Sequence, residues 1–234
     1  MIRQGLWMFA TLVLFGCAGS QGLHTDRLQT LLQEEDARFI GPAPPTTVAV
    51  PDAKRPTAPT LGLYLKPTGF LHHEFEWTDH DRETVLLWAH NLPIKAGGTG
   101  ANLVPHSSLK GHTLSELRAS AARRNLDWLL VFDGAAAVDR YNNYKAPLLY
   151  WTILGAYLAD GTHSDALCLL TARLWDVKTG ALLLEDRVEG QLRTVGPAAY
   201  INDRNVIERT QDQALDRLLQ RLSDRFASLL GAGR

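Results

Sequence analysis

Between Gly41 and Thr60 the chain places six of its eleven prolines, at positions 42, 44, 45, 51, 56 and 59. Proline lacks a backbone N–H and fixes φ, so this density excludes a helix and a central strand there. The segment is expected to be extended and semi-rigid, as proline-rich linkers are. It divides the chain: residues 61–234 are expected to form one globular domain, and residues 17–60 a tether. Before the prolines only a short polar helical stretch stands out, from about Asp26 to Phe39, with Leu28, Leu31 and Leu32 on one side. At roughly 3 Å per residue, the proline-rich spacer would hold the domain up to about 60 Å from its point of attachment.

That point is written at the N-terminus. Arg3 supplies a basic start, and Leu6 to Phe15 an apolar run. A helix needs about twenty apolar residues to span a bilayer, so this run fits the core of a secretory signal better than a permanent anchor. Leu14-Phe15-Gly16-Cys17 then resembles the lipobox of bacterial lipoproteins. The resemblance implies that residues 1–16 are a signal peptide, removed before Cys17, and that the Cys17 thiol carries lipid. Two or more acyl chains make such an attachment stable where one gives only marginal binding. Ala18 follows the cysteine where no aspartate stands, which by the same resemblance implies the outer membrane, with the domain facing the periplasm.

Composition agrees with a folded envelope domain. Hydrophobic residues make up 45% of the chain, enough for a real core, and the formal net charge is −1. Losing Arg3 with the signal makes the charge slightly more negative, so no basic field exists to attract nucleic acid. The cysteines number two. With Cys17 consumed by lipid, Cys168 has no intramolecular partner, and its apolar setting from Ala166 to Leu170 predicts a buried, inert thiol.

Leu61 to Leu65 reads as a strand stopped by Pro67. Thr78 fits a helix N-cap, with Asp79 and Asp81 in the first turn, and Val85, Leu86, Trp88, Ala89 and Leu92 form the buried face. A glycine-rich loop at Lys95 to Gly100 precedes a short strand at Ala101 to Val104. Thr113-Leu114-Ser115-Glu116 is a capping box opening a helix that ends near Asn125. Trp128 to Phe132 is a continuous apolar run, expected of a strand covered on both faces. An antiparallel meander is expected next. Leu148 to Leu158 and Ala166 to Val177 would be joined by the turn-rich Ala159 to Ser164, and Lys178-Thr179-Gly180 would reverse the chain into Ala181 to Val188. A long amphipathic helix opens near Asn205 and carries Leu215, Leu218, Leu222 and Phe226 at helical spacing. The expected fold class is α/β (α+β): a single mixed β-sheet with helices packed on it, in β-α-β-α-β-β-β-α order.

The stretch Tyr150-Trp151-Thr152-Ile153-Leu154-Gly155-Ala156-Tyr157, with Ala172-Arg173-Leu174-Trp175-Asp176-Val177-Lys178-Thr179-Gly180-Ala181-Leu182-Leu183, resembles the rhombotarget lipoproteins, proteobacterial envelope proteins of unknown activity. The likeness is best over residues 126–190. The element order is similar, more distantly, to the periplasmic domains of the curli-export lipoprotein and of lipoprotein activators of peptidoglycan synthases. These resemblances imply a protein that works by binding.

No catalytic constellation competes with that implication. The densest polar cluster, His72-His73-Glu74-Phe75-Glu76-Trp77-Thr78-Asp79-His80-Asp81, is metal-competent in composition but has Trp77 where HExxH needs its second histidine. It reads as a solvated loop leading into a helix cap. Lys95 to Gly100 lacks the Gly-Lys-Ser/Thr ending of a phosphate loop. Asp133, at the expected end of the Trp128 to Phe132 strand, is the acid best placed to act as a base or bind a ligand, though a carboxylate ahead of Gly134 more often caps a turn. The Leu148 to Leu158 run is long enough for a membrane β-strand, but both its faces are apolar, which fits a buried strand instead. Tyr141, Tyr144 and Tyr150 are expected to contribute to an interaction surface, tyrosine being favoured in interface anchors.

The sequence therefore predicts a non-catalytic, lipid-anchored envelope protein, an adaptor or assembly subunit, without cofactor or metal. Its partners would be the membrane through Cys17 and another envelope protein or itself. The alternative is an envelope enzyme or small-ligand or metal-binding protein using Asp133 and the His72 to Asp81 cluster.

Overall fold

Long apolar strands need cover on both faces, and the chain supplies it with helices on either side of one sheet. The structure is a computed structural model that describes residues 20, 22–41, 59–67, 74–92, 102–105, 113–143, 146 and 157–231. In chain order the elements are α1 (Thr25–Ile40), β1 (Leu61–Leu65), α2 (Asp79–Asn91), β2 (Asn102–Leu103), α3 (Leu114–Arg123), β3 (Trp128–Asn142), β4 (Thr162–Asp176), β5 (Leu182–Gly196) and α4 (Asp203–Gly231). The sheet order is β2-β1-β3-β4-β5. β1 pairs in parallel with β2 and β3, and β3, β4 and β5 pair antiparallel. This is the mixed sheet of the expected α+β class, in the expected order, with α1 added in front. It has five strands among the described residues, where the separate segments assigned along the sequence number six.

Successive side chains on a strand face opposite ways, so β3 feeds two cores. On one face Trp128, Leu130 and Phe132 pack with Leu170 and Leu174 of β4 and with Leu215, Leu218, Leu222 and Phe226 of α4. On the other, Leu129 and Val131 pack with Tyr64, Trp175 and Leu117 of α3. Farther along that second face, Ala135, Leu167 and Leu169 meet Leu28 and Leu32 of α1.

Local signals hold where they concern caps. Thr78 and Asp81 form a reciprocal capping box at α2, with the Asp81 N–H donating to Thr78 Oγ1 at 3.1 Å and the Thr78 N–H to Asp81 Oδ2 at 2.7 Å. The Thr113 hydroxyl accepts from the Glu116 N–H at α3. α4 starts at Asp203, slightly before the expected Asn205, because Asn202 Oδ1 takes the Arg204 N–H.

Two expectations are corrected. The meander does not begin with a strand reaching Leu158: Tyr157 and Leu158 are helical, and residues 147–156 lie outside the described residues. Its first strand is β3 itself, which runs through Asp133-Gly134 to Asn142 and pairs with β4 from Trp128↔Asp176 to Asn142↔Thr162. Gly134 turns nothing; it is small because a Cβ there would lie 2.4 Å from the Phe75 ring. The second correction concerns residues 17–60. α1 is docked on the sheet, and the Ser20 hydroxyl and Gly22 N–H both donate to Asp139 Oδ2 of β3, at 2.5 and 2.9 Å. The folded unit therefore includes residues that the proline argument assigned to a tether. The prolines connect α1 to β1 across one body, so they do not hold that body away from Cys17. Cys17 and the other residues before Ser20 lie outside the described residues.

No helix among the described residues is long and apolar enough to cross a membrane.

Candidate functional site

Sheet register gathers charge beneath α1. Tyr64, Val131, Arg173 and Glu185 stand side by side across β1, β3, β4 and β5. The Lys66 N–H, one step past β1, continues the pairing by donating to the Phe132 carbonyl, which sets Lys66 beside Asp133 on the same face. α1 closes over these rows with Glu35 and Asp36. Both acids follow Leu28 and Leu32 on the helix stripe that continues to Phe39, so the helix that buries its leucines buries the acids too.

The resulting cluster is tight. Lys66 Nζ lies 2.7 Å from Asp133 Oδ2, 3.5 Å from Glu35 Oε2 and 3.8 Å from Asp36 Oδ1. Arg173 grips Asp36 with both terminal nitrogens, at 2.7 and 2.6 Å, and donates from Nε to Glu185 at 3.0 Å. A planar fork on a carboxylate is the strongest geometry available to such a pair. The Phe39 ring lies 5.6 Å below the Lys66 ammonium, within range of a cation–π contact. Two cations thus face four carboxylates, and the imbalance falls on the deepest acid. Burial pushes the Asp133 carboxyl up from 3.8 to about 6 against the opposing pull of Lys66, with Asp36 and Glu35 adding to the rise. Burial, reinforced by the charge of Asp133, also raises the Tyr64 hydroxyl to about 12.

Asp133 is therefore not at a strand end capping a turn. It sits inside β3, buried and bonded to Lys66, with its other oxygen accepting the Gly134 N–H. Lys66 donates to this carboxylate at 2.7 Å, and both residues are buried beneath α1.

Among the described residues, Glu74 to Asp81 do not converge on one site. His72 and His73 lie outside the described residues, Trp77 is buried and donates to the Lys66 carbonyl, and Asp81 serves the α2 cap. Glu74 and Glu76 line a groove of about 300 Å³ with Asp203, Arg204 and Glu208. Arg204 already answers those acids, at 3.0 Å from Glu208 and 3.9 Å from Glu76. No group of three or more His, Cys, Asp or Glu side chains among the described residues is arranged to hold a metal.

Of the three tyrosines, Tyr141 is half-buried, stacked on His163 with ring centroids 5.0 Å apart and its hydroxyl toward Asp165. Tyr144 and Tyr150 lie outside the described residues. Cys168 is buried, and burial pushes its thiol far above the ordinary range.

No protein-family model matches the chain, and no curated protein matches it. Comparison with solved structures gives distant likenesses. A protein described as a neuraminyllactose-binding hemagglutinin homolog from Helicobacter pylori is 10% identical, with a TM-score of 0.38 over 80% of this chain and 89% of that one. A PelC dodecamer subunit from Paraburkholderia phytofirmans is 12% identical, with a TM-score of 0.34 over 69% of this chain and 86% of its own. A lipoprotein from Neisseria meningitidis is 13% identical, with a TM-score of 0.31 over 73% and 99% respectively. At that depth no residue role passes from those proteins to this chain.

Proposed function

We propose that the chain is a lipid-anchored envelope protein, held at the outer membrane through Cys17 and facing the periplasm, that acts as a non-catalytic adaptor or assembly subunit. The observation that carries the proposal is how closely folding follows the lipobox: Ser20, three residues after Cys17, already bonds to Asp139 of β3. The apolar run before Cys17 is too short to span a bilayer and fits a secretory signal that delivers the chain. The adaptor role draws support from the charge cluster, whose cations are fully engaged with carboxylates of the same chain under α1. Such an arrangement fixes α1 in place and leaves binding to the surface.

The anchor is tested by replacing Cys17 with Ser: acyl labelling is lost and the protein leaves the membrane fraction. Unchanged attachment refutes the anchor. The adaptor role is tested by affinity capture from detergent-solubilised envelope at native expression. A specific envelope partner or self-association is expected; neither, together with a metal or small molecule copurifying with the protein, refutes it.

A further inference from the structure

The Ser20 and Gly22 contacts also orient the molecule. Asp139, which takes both, lies near the β3 end at which Asn142 pairs with Thr162 of β4 and Thr162 pairs with Gly196 of β5. Consecutive Cα atoms are 3.8 Å apart at most, so three residues reach about 11 Å. If Cys17 carries lipid, this end of the sheet lies against the bilayer. The opposite end, where β4 turns into β5 at Gly180, points away.

The same end bears the exposed apolar surface. Of the large hydrophobic side chains exposed among the described residues, only Leu87 lies elsewhere. The others are Tyr157 at 48% exposure, Leu158 at 78%, Val195 at 47% and Tyr200 at 70%. Tyr157 and Tyr200 meet edge to face with centroids 6.0 Å apart, and Val195 pairs with His163, one step from Thr162. Two exposed tyrosines beside a projecting leucine match the chemistry of a bilayer interface, where amphipathic rings rest at headgroup level. Flanking charges are restrained: Arg193 holds Asp165 at 2.6 Å, and Arg140 reaches Asp203 and the Ala198 carbonyl.

We infer that Tyr157, Leu158, Val195 and Tyr200 form a second membrane contact that dips into the lipid headgroup region and fixes the domain's orientation beside its anchor. The inference rests on the lipid anchor proposed above. The occupant is the lipid surface, because the short leash from Cys17 leaves this patch next to the bilayer whatever else the protein binds.

The chain offers a clean probe. Its cysteines are Cys17, which the anchor consumes, and Cys168, which is buried. Full-length protein carrying Leu158→Cys or Leu87→Cys is labelled with an environment-sensitive fluorophore and reconstituted into vesicles with headgroup-quencher lipids, and acyl incorporation is measured on the same sample. The label at 158 is expected to shift to the blue and to be quenched by the lipid, and the label at 87 to stay water-like. Acylated protein with identical, water-like signals at both positions overturns the inference and leaves the anchor standing. A label at 158 that is shielded but not quenched indicates a second copy or another protein on the patch and equally overturns it. Protein without acyl label overturns the anchor, and the inference with it.

Discussion

Replacing Asp36 with Ala strands a buried arginine and so measures how α1 is held. Asp36 accepts both forked bonds from Arg173, at 2.7 and 2.6 Å, and its remaining cationic neighbour is Lys66 at 3.8 Å. Removing one member of a buried ion pair typically costs about 3–5 kcal/mol. Here Arg173 keeps Glu185, whose side chain is 43% exposed and can bring water with it, so the lower end, about 3 kcal/mol, applies. Leu28, Leu32 and Phe39 stay buried, and each contributes roughly 1.5–3 kcal/mol. The helix therefore remains docked but opens more often. At 1.4 kcal/mol per tenfold, amide exchange over the second half of α1 should quicken by about 100-fold. Native-state hydrogen exchange checks this, with the amides of β4 as internal reference. Unchanged exchange in α1, or acceleration spread evenly through the sheet, would refute a charge-held helix. A companion variant separates charge from packing. Asp36→Leu with Arg173→Met removes both ions, a replacement often close to neutral, and should restore protection to within about 1 kcal/mol of wild type. If the double variant is as exposed as the single one, the cost never came from the stranded arginine.

Asp133 titrates at about 6 in the fold, above the unfolded value of about 3.9, so the native state holds its proton more tightly. Its stabilisation is present below about pH 4 and is lost as pH rises through about 6; Asp133→Asn should gain on wild type across that interval in urea midpoints, and parallel profiles would contradict it. Gly190 sits under α4, where a Cβ would lie 2.8 Å from the Thr210 carbonyl and 3.0 Å from Ala214 Cβ. Gly190→Ala should cost about 1–3 kcal/mol by thermal or chemical unfolding, since backbone cannot yield as a side chain can; an unchanged midpoint would show that α4 rides farther from β5. Cys168 should react with thiol reagents only at the rate of unfolding, being buried and held far from its thiolate form. Rapid native labelling would place it at a surface.

The candidate features were unevenly legible in the sequence, for reasons visible in single residues. Thr78 with Asp81 and Thr113 with Glu116 cap helices through contacts three residues apart, and such contacts are written locally. The amphipathic spacing of Leu215, Leu218, Leu222 and Phe226 likewise reports a buried face without naming what it meets. Asp133-Gly134 carried the opposite message: the pair is turn chemistry in isolation, yet β4 alongside keeps the chain extended, and the glycine serves the Phe75 ring. Glu35 and Asp36 did leave a trace, as acids on a leucine stripe, but their partners lie far along the chain, Arg173 at a separation of 137 residues from Asp36.

What the sequence determined alone was the class of fold, the helix caps, the burial of Cys168 and the presence of a lipobox-like motif ending at Cys17. The tertiary structure decided how the residues after that motif are held. Proline stiffness is a local expectation, but whether a stiff segment is a tether or an internal connection depends on whether the residues before it find partners. Here they do: Ser20 and Gly22 on Asp139, Leu28 and Leu32 on β3 and β4, and Asp36 on Arg173. Desolvating those acids is costly in isolation and becomes favourable only when the sheet has already placed two cations opposite them.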